Sequence, residues 1–125
     1  MAPTPPARLR FSRAQRLKQG RDFSRARTNG QRLVSGCLIA NWLKLSGGGP
    51  ARLGVVTSRR IGNAAIRSRA RRLLRETFRV HQHDFEWPVD LVLVARPSIA
   101  GKRFIEVEQD FLSALRRAKL LKETM

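Results

Sequence analysis

The chain has 125 residues, 26 Lys+Arg against 9 Asp+Glu and a formal net charge of +17, with a pI near 12.0. The length fits one domain, and 42% hydrophobic residues exclude a wholly disordered basic tail, which would lack them. The charge points to a polyanion, nucleic acid being the commonest; the single cysteine excludes an intrachain disulfide and zinc sites built from four cysteines or from two cysteines and two histidines.

In chain order, Met1 to Ala7 is Pro-rich and has no apolar h-region of a secretory signal, so residues 1–10 read as a flexible basic tail. Arg16–Arg27 is short, basic and weakly amphipathic, with Leu17, Phe23 and Ala26 apolar, and Asn29-Gly30 ends it. Gln31 to Leu45 reads as a short strand followed by a longer one around Cys37–Leu45. Cys37 in this apolar context is expected to be a small core residue, and one reduced cysteine suits a cytoplasmic setting. Ser46-Gly-Gly-Gly-Pro50 is a loop, and Arg52 to Ser58 a second clear strand, expected to form a hairpin with its predecessor across five residues.

Asn63 to about Val80 carries the clearest helical pattern. Ile66, Ala70, Leu73, Leu74, Thr77 and Phe78 fall at i, i+4, i+7, i+8, i+11 and i+12, one buried stripe, and the Asn63 amide oxygen is placed to cap the first turn. Val89-Asp-Leu-Val-Leu-Val-Ala95 is nearly continuous in apolar residues, which predicts a central strand ended by Pro97. Ile105 to Leu121 is a final amphipathic helix with Val107, Phe111, Leu112, Leu115 and Ala118 inward. Glu106, Glu108 and Asp110 sit in its first turns and Arg116, Arg117 and Lys119 near its end, as the helix dipole favours. Residues 122–125 are a short tail. The expected architecture is a single α+β domain, a layer of helices packed on a small sheet. No apolar run approaches the roughly 18 residues of a membrane span, so no membrane partner is expected.

The charge is unevenly placed. Residues 1–79 hold 19 basic and 2 acidic side chains, whereas residues 80–125 hold 7 of each. Of the 26 cations 21 are arginine, which favours bidentate phosphate contacts. On the central helix Arg67, Arg71, Arg75 and Arg79 step across the face opposite the apolar stripe, Arg72 joins them, and Arg69 lies further round. Only Glu76 offers an internal partner. Like charges at i,i+4 repel by a few tenths of a kcal/mol per pair, so a solvated cationic face competes with a phosphate-binding one. Arg59-Arg60 before the helix and the cations of residues 16–32 favour the latter.

The block Arg52-Leu-Gly-Val-Val-Thr-Ser-Arg-Arg-Ile-Gly-Asn-Ala-Ala-Ile-Arg-Ser-Arg-Ala-Arg-Arg-Leu-Leu-Arg-Glu76 resembles the signature of the bacterial ribonuclease P protein subunit, with Ser68 where the family usually has Asn. Arg16-Leu17, Asp22-Phe23, Asp90 to Arg96 and the Phe111-Leu112 helix extend the likeness over roughly residues 13–121. The resemblance implies a small two-layer α/β sandwich in the order αβββαβα, similar to a ribosomal-protein-type RNA-binding fold, with a left-handed βαβ crossover. It implies a protein that binds a large catalytic RNA and the 5′ leader of precursor tRNA, the RNA carrying out Mg2+-dependent hydrolysis while the protein alone is inactive. No further protein partner is implied.

By the same resemblance, leader binding falls to Phe23, Arg27, Asn41, Ser58 and Arg59. Catalytic-RNA binding falls to Arg60, Asn63, Arg67, Ser68, Arg69, Arg71, Arg72 and Arg75. Phe23 has two competing roles, stacking on an unpaired base or fixing the first helix to the sheet. Arg27 stands where relatives often carry an aromatic, and a guanidinium plane stacks or binds phosphate. Trp42, one residue after Asn41, alternates to the other face, toward the core.

Rival functions fare less well. A ribosomal-type RNA-binding module explains charge and size but not the central block. A self-sufficient nuclease would need a metal at His81, His83 and Asp84, or at Glu106, Glu108 and Asp110; the former read better as solvated and the latter as helix-start charges. A helix-turn-helix reader conflicts with a strand directly before the arginine helix.

Overall fold

A computed structural model describes residues 11, 13–17 and 20–122. The tail at residues 1–10 and the last three residues lie outside this range. A 3-10 turn, Arg13–Gln15, leads to helix α1 (Gly20–Asn29); strands β1 (Gln31–Ser35), β2 (Leu38–Lys44) and β3 (Arg52–Val56) follow. After a second 3-10 turn, Arg59–Ile61, come helix α2 (Ala64–His81), strand β4 (Val89–Ala95) and helix α3 (Phe104–Arg117). The α+β class and the order αβββαβα are as expected.

Strand pairing differs from expectation at one point. The sheet order is β1-β2-β4-β3, so β2 and β3 are not a hairpin: β4 lies between them, antiparallel to β2 and parallel to β3. The reason is burial. Residues 89–93 and 95 of β4 are buried, and an apolar strand of this kind gains most from neighbours on both edges. The glycine-rich loop after β2 therefore spans the width of one strand. The true hairpin is β1–β2, closed by Gly36 and Cys37, with Gly36 in the left-handed region at φ 54°.

The helix expected from Arg16 begins at Gly20. Arg16 and Leu17 instead run extended along the free edge of β3, where the Leu17 N–H donates to the Leu53 carbonyl at 2.9 Å. This strap covers an edge that would otherwise expose unpaired amides. Pro97 starts a short 3-10 turn and ends β4, as expected.

The main core lies on one face of the sheet. Leu38, Ala40, Trp42, Leu53, Leu91 and Leu93 pack there against Leu74 and Phe78 of α2 and Phe111 and Leu115 of α3. Trp42 is 4% exposed, on the core side as alternation predicts. Helix α1 crosses the other face, where Leu17, Ala26 and Val92 form a smaller cluster with Phe23, Leu43, Val56 and Val94 around it.

Candidate nucleic-acid interface

Helix α2 starts where its sequence says it should: the Asn63 Oδ1 accepts from the Ile66 N–H at 3.0 Å. Gly62, at φ 147°, makes the turn before it, and a Cβ there would lie 2.7 Å from the Ile66 side chain. Of the predicted stripe, Ala70, Leu74, Thr77 and Phe78 are buried, and Ile66 and Leu73 are half-buried. The arginines are thereby turned outward, but they are not equivalent. Arg67 folds back to the Gly62 carbonyl at 3.2 Å, and Arg69 is exposed further round the helix. Arg71 is held by Thr57 Oγ1 at 2.7 Å and by Ser68 Oγ at 3.1 Å. The hydroxyl at position 68 thus acts as an acceptor that orients a neighbouring guanidinium.

Arg71, Arg72, Arg75 and Arg79 line a shallow depression with Arg16, which the strap brings to them across the β3 edge. Phe11 supports it: its ring packs edge-on against Phe78 at 5.5 Å, and the Arg16 guanidinium lies over it at 4.9 Å. Arg75 is harder to charge than an ordinary arginine, because of burial and then the like charges of Arg16 and Arg71. Glu76 is held below the usual carboxylate range by its hydrogen bonds from Arg79. Sequence reasoning missed Phe11 and Arg16 as members of this surface, since no periodicity links residues so far apart in the chain. The basic segment beside Phe23 therefore splits between two faces.

Ser58 Oγ accepts from the Arg60 N–H at 3.3 Å and so caps the turn before α2; Arg59 and Arg60 are exposed beside it.

The opposite sheet face is built in registered rows. Arg52 and Asp90 are Cα partners, and Arg52 donates to both Asp90 oxygens, at 2.8 and 2.7 Å. That pairing raises the Arg52 pKa further, and it neutralises one cation of the basic half inside the fold. The next row runs Gly54, Val92, Asn41 and Arg32. The Phe23 ring sits directly on Gly54, where a Cβ would come within 2.5 Å of it. Asn41 is only 3% exposed, which leaves it little surface for a ligand. The last row, Val56, Val94, Ile39 and Val34, is incompletely covered, and Val34 is 39% exposed. This apolar strip beside Phe23 was not read from the sequence, because it depends on register across four strands. Arg27 is exposed on α1.

Of the acidic and histidine residues considered for a metal, His83 is exposed, as expected, and the others have structural partners. His81 is not solvated: its Nδ1 meets Asp84 and its Nε2 meets Glu108, each at 2.8 Å. Glu106 serves the start of α3, accepting from the Arg103 N–H, which holds it below the usual carboxylate range. Asp110 does not act as a helix-start charge; its carboxylate accepts from the Cys37 N–H at 2.9 Å. Cys37 is buried, and burial together with Asp110 pushes its thiol up to about 12. Among the described residues no three His, Cys, Asp or Glu side chains converge as metal ligands, and no helix is long and apolar enough to cross a membrane.

The family model described as Ribonuclease P matches residues 11–119. A ribonuclease P protein component from Gluconacetobacter diazotrophicus is 36% identical, the match covering 85% of this chain and 92% of the relative. One from Brevibacillus brevis is 32% identical over 89% of this chain and 88% of the relative. Among solved structures, the RNase P protein of Staphylococcus aureus has the same fold, with TM-score 0.79, 24% identity, and coverage of 88% of this chain and all of that one. The Thermotoga maritima RNase P protein aligns with TM-score 0.72 and 28% identity over 81% of this chain and 97% of that one. The chain belongs to the ribonuclease P protein component family, the protein subunit of a tRNA-processing ribonucleoprotein.

Proposed function

We propose that the protein holds two RNAs on opposite sides of one sheet. The outward face of α2, with Arg60, Asn63, Arg67, Ser68, Arg69, Arg71, Arg72 and Arg75, binds the catalytic RNA. The α1 side binds the 5′ leader of precursor tRNA through Phe23, Arg27, Ser58 and Arg59, with Asn41 in the floor beneath them. The observation that carries this reading is the pairing of an arginine face, nearly empty of carboxylates, with a separate apolar strip next to a half-buried aromatic. The first suits a phosphate-lined RNA surface. The second suits unpaired bases, whose faces stack and pack without sequence preference.

Within those surfaces the roles differ. Asn63 and Ser68 shape the interface, one by capping α2 and the other by orienting Arg71. Phe23 combines its two competing roles: one side of its ring is fixed on Gly54, and the rest is partly open. Phosphodiester hydrolysis belongs to the RNA. In this reading the RNA also holds most of the Mg2+ it needs, while the carboxylates of Asp110 and Glu108 serve structural partners. The same reading locates the protein in the cytoplasm with its RNA partners.

Reconstitution tests it. With catalytic RNA and precursor tRNA at low Mg2+, the protein alone should cleave nothing, and RNA with protein should cleave much faster than RNA alone. The complex should also bind precursor tRNA more tightly than mature tRNA. Cleavage by RNA-free protein, or no stimulation by protein, would overturn the proposal.

A further inference from the structure

The strap on the β3 edge does more than close the sheet. It holds neighbouring residues to opposite sides: Leu17 is buried with Ala26 and Val92 under α1, while the Arg16 side chain reaches the arginine face of α2. The strap is tied at several points. Gln15 Nε2 donates to Gln82 Oε1 at 2.7 Å at the end of α2, Phe11 packs on Phe78, and the backbone at 16 and 17 bridges Leu53. The strap therefore brings Arg16 beside the α2 arginines, with its guanidinium over the Phe11 ring, although it comes from a different part of the chain.

We propose that Arg16, carried on Phe11, completes a phosphodiester-binding depression with Arg71, Arg72 and Arg75, and that this depression seats a backbone phosphate of the catalytic RNA. The inference rests on the assignment of α2 to that RNA and adds to it a contact from the N-terminal strap. Five observations support it. The cations converge on one depression of about 390 Å³, whose lining also includes Glu76 with its partner Arg79. Among the described residues none of Arg16, Arg71, Arg72 and Arg75 has a carboxylate within ion-pair distance, Glu76 being engaged by Arg79. Burial, and after it the like charges of Arg16 and Arg71, makes Arg75 harder to charge, and a bound anion offsets that repulsion. Thr57 and Ser68 fix the Arg71 guanidinium beforehand, which lowers the ordering cost of binding. The depression has no apolar slot suited to a base, since the Phe11 ring is already flanked by Phe78 and Arg16. A phosphate, read without sequence preference, is the matching ligand.

The test compares Arg16→Gln, Arg16→Lys and Arg72→Gln in the full chain, with affinity for the catalytic RNA measured across a range of NaCl concentrations. Arg16→Gln should weaken binding several-fold and lower the slope of log K against log salt by about one. Arg16→Lys should keep the slope. The preference of the saturated complex for precursor over mature tRNA should not change in either. If Arg72→Gln flattens the slope and Arg16→Gln does not, the strap contact is wrong and the α2 assignment stands. If neither changes it, the α2 assignment fails and takes this inference with it. Loss of precursor preference in the saturated Arg16→Gln complex would place Arg16 on the leader and overturn the proposal. Thermal melting of each variant separates these outcomes from a failure to fold.

Discussion

Gly54 is small because Phe23 needs the space. It lies in β3 at the centre of a registered row, and the ring occupies the volume a side chain would take. Gly54→Ala would push the end of the ring outward. The cost is about 1 kcal/mol, at the low end for overpacking, because the displaced atoms are the far end of a side chain that already has some exposure. Urea denaturation should show that modest loss. Precursor affinity of the assembled complex should fall several-fold, while mature tRNA binding stays nearly constant. Equal losses for both substrates would show that the position of Phe23 has no bearing on the leader. The motif around position 54 is visible in the sequence, but the reason for the glycine is not: its partner lies 31 positions earlier on a helix, and only docking brings them together.

At the scale of elements, local signals were readable and nonlocal ones were not. Helix α2 was legible from its cap and its 3.6-residue stripe, both of which lie within a few residues of one another. The placement of β4 between β2 and β3 was not, since strand order is set by which strand gains most from two neighbours. Asp110 illustrates the same limit. From position alone it reads as an acidic residue near a helix start, yet it ties α3 to the β1–β2 turn. Its carboxylate accepts from the Cys37 N–H, its carbonyl accepts from Ser35 Oγ at 2.8 Å, and Gly36 leaves room for its side chain. Asp110→Ala should therefore cost about 1.5–3 kcal/mol, the range for a lost hydrogen bond to a charged group. The Cys37 amide should exchange with solvent markedly faster in the folded variant. Unchanged exchange and stability would mean that the turn holds itself and α3 merely rests against it.

For the whole molecule, folding and RNA binding make opposite demands on the same charge. The net charge of +17 is concentrated before residue 80, and several of the carboxylates are bound to nearby cations in pairs such as Asp22–Arg25, Glu76–Arg79 and Asp90–Arg52. The remaining arginines repel one another across α2, α1 and the turn before α2, and this repulsion opposes the compact state. Salt screens it within a Debye length of about 8–10 Å near physiological ionic strength. Added NaCl should therefore raise the melting temperature of the free protein. The same salt should weaken assembly with the catalytic RNA, because an interface that neutralises about six phosphates loses roughly 10³ in affinity over a fourfold rise in salt. Thermal melts and binding titrations across one NaCl series would measure both trends. A melting temperature that falls with salt would mean that the local ion pairs outweigh the repulsion. The uneven charge would then be a stabilising feature of the fold and not a cost carried for an anionic partner.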